Sequence, residues 1–115
     1  MVIFYFRVSG VPYETSKYTL ERAEHFSLFR EMVRPDFDLS KEKRVHQDPD
    51  GTYIIDRNGF IFQYVLDYLR IGRLTVPSDF AEFDLLYHEA GFYGLITLKS
   101  EVRDEARRRN IILNV

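Results

Sequence analysis

Three kinds of residue in this chain could do chemistry: dispersed histidines, an arginine-rich helix end and one adjacent acid–base pair. His25, His46 and His88 lie far apart in the sequence and lack the spacing of metal ligands. "HEAGF", residues 88–92, opens like a zinc-protease helix, but no second histidine follows one turn later. No metal site is assigned, and the three imidazoles are read as solvent-facing. The "EARRR" run, residues 105–109, has the cations to hold a phosphate. Cations also complement a helix C-terminus, and Glu105 stands four residues before Arg109, the spacing of a helical ion pair.

Asp56–Arg57, within "YIIDRNGF", closes an apolar run. The Asp56 carboxylate can accept backbone N–H groups at the start of a following helix, as can that side chain's near neighbour Asn58. Arg57 offers a planar five-donor fork to a carboxylate in this chain or in a neighbouring one. Nothing resembles a nucleophile elbow or a phosphate loop. No catalytic residue is assigned, and the chain is read as a non-enzyme.

The elements around these groups follow from periodicity and turn chemistry. "VIFYFRV" is a strand, turned by Ser9-Gly10 into a short second strand, "VPYET". Ser16 caps a short helix containing Thr19 and Leu20, and a second helix puts Leu28, Phe29 and Met32 on one face before Pro35 ends it. Residues 34–51 are expected to form a long exposed loop. Asp50-Gly51 marks a tight turn, and "TYII" is a third strand. Phe62, Val65, Leu66 and Leu69 define an amphipathic helix closed by Gly72. "LTVPSDF" reads as a short strand or extended piece. Another helix turns Leu85, Leu86 and Ala90 inward, and a charged helix follows.

Composition bounds the function. A chain of 115 residues that is 45% hydrophobic, with ten Phe and eight Tyr, can bury one core. Sixteen basic against eighteen acidic residues leave a net charge of −2, giving no electrostatic reason to expect nucleic acid or an anionic membrane. The absence of cysteine excludes disulfides and thiolate sites, and points to a reducing, cytoplasmic setting.

"DGTYIIDRNGFIFQYVLDYLRIGRLTVPSDFAEFDLLYHEAGFYGL" closely resembles the potassium-channel-tetramerisation (KCTD) branch of the BTB/POZ family. The family pattern runs D-G-x-Y/F-F-I-D-R-D/N, then F-x-x-I/V-L-x-Y/F-L-R-x-G-x-L, a proline, and E-A-x-F-Y. Upstream, "FRVSGVPYETSKYTL" is similar to its opening L-N-V-G/S-G-x-x-F/Y-x-T-x-x-x-T-L, and the likeness spans roughly residues 3–98. Ser9 stands where soluble members usually have glycine, and Ala23-Glu24-His25 replaces an expected proline. The histidine–cysteine zinc cluster of many channel domains cannot form without cysteine.

The resemblance implies an α/β (α+β) BTB/POZ fold, with about three main strands flanked by helical hairpins. It implies homo-oligomerisation in rings of four or five, with Thr15, Asp56 and Arg57 near the subunit contact. Arg57→Glu is then expected to loosen the ring and leave the fold intact. For soluble members it implies a substrate adaptor for a cullin-3 ubiquitin ligase, with Phe92 matching a docking position; the bland reading of Phe92 is a partly buried core aromatic. The competing function is a cytoplasmic assembly domain of a voltage-gated channel, or an auxiliary subunit of a receptor complex. Neither implies a cofactor.

Residues 1–98 are taken as this domain, and 99–115 as a charged helix with a strand-like tail. That tail, "IILNV", fits the family's L-N-V opening better than Phe6-Arg7-Val8 does. The expectation is that a second domain of the same type begins there; the alternative is a short strand or frayed end.

Overall fold

In the computed structural model, which describes residues 1–114, the apolar N-terminal run becomes β1 (Ile3–Val8) and folds back as β2 (Val11–Ser16). The two pair antiparallel from Ile3 opposite Ser16 to Val8 opposite Val11. Ser9 (φ 46°) and Gly10 (φ 89°) both take left-handed backbone, as a two-residue turn matching strand twist requires. Alternation sends Phe6 and Val8 into the core and leaves Tyr5 on the open face.

Ser16 caps α1 (Lys17–Glu21), its Oγ accepting from the Thr19 N–H, and Ser27 caps α2 (Leu28–Met32) in the same way. These helices belong to the long crossover that lets β4 (Tyr53–Ile55) return parallel to β1. The final order is β2-β1-β4-β3.

The expected long loop over 34–51 is more structured than its polarity suggests. A 3-10 turn spans Leu39–Lys41, Val45 is buried, and His46–Gln47 form β3, antiparallel to β4. The Asp48 N–H and the Thr52 carbonyl close that hairpin at 2.9 Å, with Gly51 at φ 93°. Mixed charge concealed a strand only two residues long, which raises the sheet from three strands to four.

Helix α3 (Phe62–Ile71) buries Phe62, Val65, Leu66 and Leu69, and ends at left-handed Gly72, as its periodicity predicts. "LTVPSDF" is irregular in the structure, with Phe80 buried and Leu74 and Val76 packed against the core. In α4 (Phe83–Tyr93) the inward row is Phe83, Leu86, Ala90 and Tyr93. Leu85, expected inside, is 42% exposed, because it lies one residue, about 100°, off that row. Helix α5 (Ile96–Arg108) is charged outside but buries Leu98, Val102 and Ala106 completely. The chain then reverses at Asn110 (φ 59°), and Ile111 and Leu113 lie against the core without forming a strand. Val115, the last residue of the tail motif, lies outside the described residues.

Phe6, Phe29, Phe62 and Tyr93 interlock at the centre with ring centroids 5.0–6.2 Å apart, joining sheet, α2, α3 and α4. Where proline is replaced by Ala23-Glu24-His25, a carboxylate fixes the corner. Glu24 accepts from the Tyr68 hydroxyl at 2.6 Å and from the Thr97 N–H at 3.1 Å, tying this turn to α3 and to the start of α5. Burial pushes the Tyr68 hydroxyl well above its ordinary pKa, and the Glu24 bond and charge add to it.

Gly59, between β4 and α3, is required by close approach. A Cβ there would sit 2.3 Å from the Val8 carbonyl oxygen and 2.5 Å from a Val11 methyl. Gly59→Ala is therefore expected to lower stability by about 1–3 kcal/mol. Urea unfolding should show a lower midpoint at unchanged slope.

Candidate docking and assembly site

Strand β4 ends at the fully buried Ile55, and the next two side chains part company. Asp56 is exposed, and no hydrogen bond or ion pair engages its side chain among the described residues. The helix-leading cap is Asn58 instead: its Oδ1 accepts the N–H groups of Phe60 and Ile61, each at 3.0 Å. Asp56 precedes that turn by too many residues to reach its N–H groups. The Arg57 backbone is pinned by Ser9, whose Oγ donates to its carbonyl at 2.5 Å.

The Arg57 side chain folds inward. Its Nε donates to Glu89 Oε1 at 3.2 Å and its Nη2 to Oε2 at 2.5 Å. The Asn58 backbone N–H also donates to Oε1, at 3.3 Å. The Glu89 side chain is 7% exposed and that of Arg57 31% exposed, so the pair runs from interior to surface. Three donors on one buried carboxylate supply much of what water would have given it.

The guanidinium carbon also lies over the Phe92 ring, 4.3 Å from its centroid. Phe92 is half-buried, with its ring edge-on to Tyr93 at 5.0 Å. One side of the ring therefore packs on the core, as the partly buried reading expects, and the rest reaches the surface. Burial, helped by the Glu89 charge, drives the Tyr93 hydroxyl far above its ordinary pKa.

A second arginine holds the same segment from the other direction. Arg44 grips Glu42 through Nε at 2.7 Å and Nη2 at 2.8 Å, and its Nη1 reaches the Phe92 carbonyl at 3.5 Å. The Arg44 hydrogen bonds hold the Glu42 carboxyl below the usual carboxylate range, against a smaller opposing effect of burial.

The residues expected to act together therefore separate. Arg57 and Phe92 touch, whereas Thr15 is only 6% exposed and pairs with Phe4 at the opposite end of β1 from Val8 and Ile55. Four strand steps, roughly 13 Å, divide those positions. All three histidines are exposed. Glu89 is the residue that sequence reading overlooked. Its signal was present: it stands three residues after Leu86, beside Ala90 on the buried row, where an acid needs a partner.

Comparison with known proteins places this geometry. The BTB/POZ domain family matches residues 5–102. The BTB/POZ domain-containing protein KCTD5 of Homo sapiens, and likewise those of Mus musculus and Bos taurus, is 38% identical over 103 residues. The match covers 90% of this chain and 42% of each relative, so the chain spans less than half the length of these proteins.

The geometry corrects the expectation that Arg57→Glu spares the fold, because the new carboxylate would face buried Glu89. It should cost about 2–3 kcal/mol of stability, read by thermal or urea unfolding. For Glu42 the depressed folded pKa fixes the sign: its stabilisation is present above the unfolded pKa, near 4.3, and is lost as pH falls through the folded value. The stability difference between the native chain and Glu42→Gln should be full at neutral pH and shrink below about pH 4.

Proposed function

Because the chain belongs to the BTB/POZ family, in its potassium-channel-tetramerisation branch, we propose that it is a homo-oligomerising adaptor that presents a ring of copies to cullin-3. BTB/POZ domains are protein-interaction domains. The observation that carries the finer reading is Phe92: an aromatic side chain half-open at the end of α4, backed by Tyr93 and held by Arg57. An apolar ring fixed in one orientation loses little conformational freedom on docking, as suits a hot spot.

Self-assembly is assigned to the corner at the end of β4. There Asp56 is exposed and lacks an in-chain partner among the described residues, so its charge is available to a neighbouring subunit. Arg57 contributes with the part of its fork that remains open to water, and Thr15, which is only 6% exposed, supports the far end of the sheet from beneath the contact. Assembly through polar groups at separated points fits side faces of a ring better than one apolar patch.

The competing reading is the assembly domain of a channel or receptor complex. It is favoured by Ser9, which holds the left-handed turn position usual for glycine in soluble members and bonds the Arg57 carbonyl. Among the described residues no helix is long and apolar enough to cross a membrane.

Light scattering with and without an N-terminal cullin-3 fragment separates these readings. The adaptor reading predicts a ring of four or five that binds the fragment, and Phe92→Ala should weaken that binding by about thirtyfold. Asp56→Arg should reduce the ring mass without altering the circular dichroism spectrum. A ring that ignores the cullin favours the channel reading, and a strict monomer overturns both.

A further inference from the structure

The basic residues at the C-terminal end of the chain divide by face. Arg108 and Arg109 both donate to Glu105, whose carboxyl they hold below its ordinary range, chiefly through the Arg109 hydrogen bond. Arg109 also donates to the carbonyls of Pro77 at 3.1 Å and Ser78 at 3.3 Å, and lies over the Phe83 ring. Two of the three arginines in "EARRR" are thus committed within the chain. Arg107 is exposed and forms no ion pair among the described residues.

Ile96, Lys99, Arg103 and Arg107 follow at intervals of three, four and four, which places them in one row along α5. The row is roughly 16 Å long. Little offsets its charge. Arg103 meets only its sequence neighbour Asp104, at 3.6 Å with both side chains at least half exposed. The Lys99 ammonium sits 4.9 Å from the centroid of the Tyr87 ring. Asp84, on the facing helix α4, is engaged by the backbone and side-chain N–H groups of Asn114 at 3.0 and 3.2 Å.

Apolar surface accompanies the row at both ends. Between Arg103 and Arg107 a shallow groove is lined by Tyr87, Ile111 and Leu113. At the other end Ile96 is 63% exposed, and Phe26 is 81% exposed on a turn lying against Gly94. Phe26 is also held at φ 69°, a backbone region that bulky residues rarely adopt.

We propose that this α4–α5 face is a docking surface for an acidic amphipathic helix of a partner protein. Carboxylates at four-residue spacing would meet Lys99, Arg103 and Arg107, and apolar residues at its two ends would meet Phe26–Ile96 and the Tyr87 groove. Charge complementarity selects the occupant. A net charge of −2 gives the chain no long-range attraction for nucleic acid or anionic lipid, so the row acts on a partner at short range. The surface is distinct from the Phe92 site: Lys99 packs beside Gly91, and Phe92 lies about 100° further round α4, against Arg57.

The test uses the intact chain and a fluorescein-labelled helical peptide of about 16 residues, roughly 24 Å long, enough to span the row and the apolar surface at both its ends. The peptide carries Glu at every fourth position and a Leu stripe beside it. Fluorescence polarisation should detect saturable binding that weakens with added salt. The double variant Arg103→Glu/Arg107→Glu should weaken it by at least about tenfold, and Phe26→Ser should weaken it with the charges intact. Both variants should keep the native circular dichroism spectrum and oligomer mass. The proposal is overturned by no binding, by equal binding of the double variant, or by equal binding of a peptide with the same composition in scrambled order. Tighter binding of a DNA duplex or of phosphatidylserine vesicles overturns it too, as does an altered oligomer mass in the double variant, which would make the row a subunit contact.

Discussion

The join between the sheet and α4 is organised around one carboxylate that cannot be left alone. Glu89 sits on the buried row of α4, where an unpaired charge would cost several kcal/mol. The fold brings the end of β4 to it, and Arg57 and the Asn58 N–H complete its bonding. These bonds pin the end of β4 to the fourth helix. Because the same guanidinium covers Phe92, it also decides how that ring meets the surface.

The surrounding packing makes this arrangement specific. Phe6, Phe29, Phe62 and Tyr93 set the spacing between sheet and helices. Gly59 lets the segment after β4 pass directly over Val8 and Val11, and the Ser9 hydroxyl holds the Arg57 carbonyl from the β1–β2 turn. Arg44 secures the carbonyl of Phe92 from the opposite direction. Adjacent Asp56 and Arg57 thus divide their places: the acid remains outside, exposed to solvent, and the base turns inward to bond Glu89.

Much of this fold was legible in the sequence because periodicity and turn chemistry are local. The β1–β2 hairpin, the Ser16 cap and the α3 stripe ending at Gly72 all appear where spacing put them. The readings that failed depended on what comes close in space. Strand β3 is two polar residues that pair only because β4 lies alongside. Leu85 is apolar yet off the buried row, and Glu89 is acidic yet on it, so composition alone ranked both wrongly. The site was half legible: Asp56, Arg57 and Phe92 were singled out, but 32 residues separate Arg57 from Glu89, and only the fold joins them.

Helix α5 shows the same division in another form. Its buried row joins the core, one edge closes on Glu105, and the remaining edge keeps its positive charge. A double-mutant cycle on Arg57→Met and Glu89→Gln tests the interlock between β4 and α4 most directly. The expected result is a coupling energy of at least about 1 kcal/mol, with the double variant more stable than the two single losses add up to. Additivity to within about 0.3–0.5 kcal/mol would contradict it, showing that the sheet and α4 are held together without this pair.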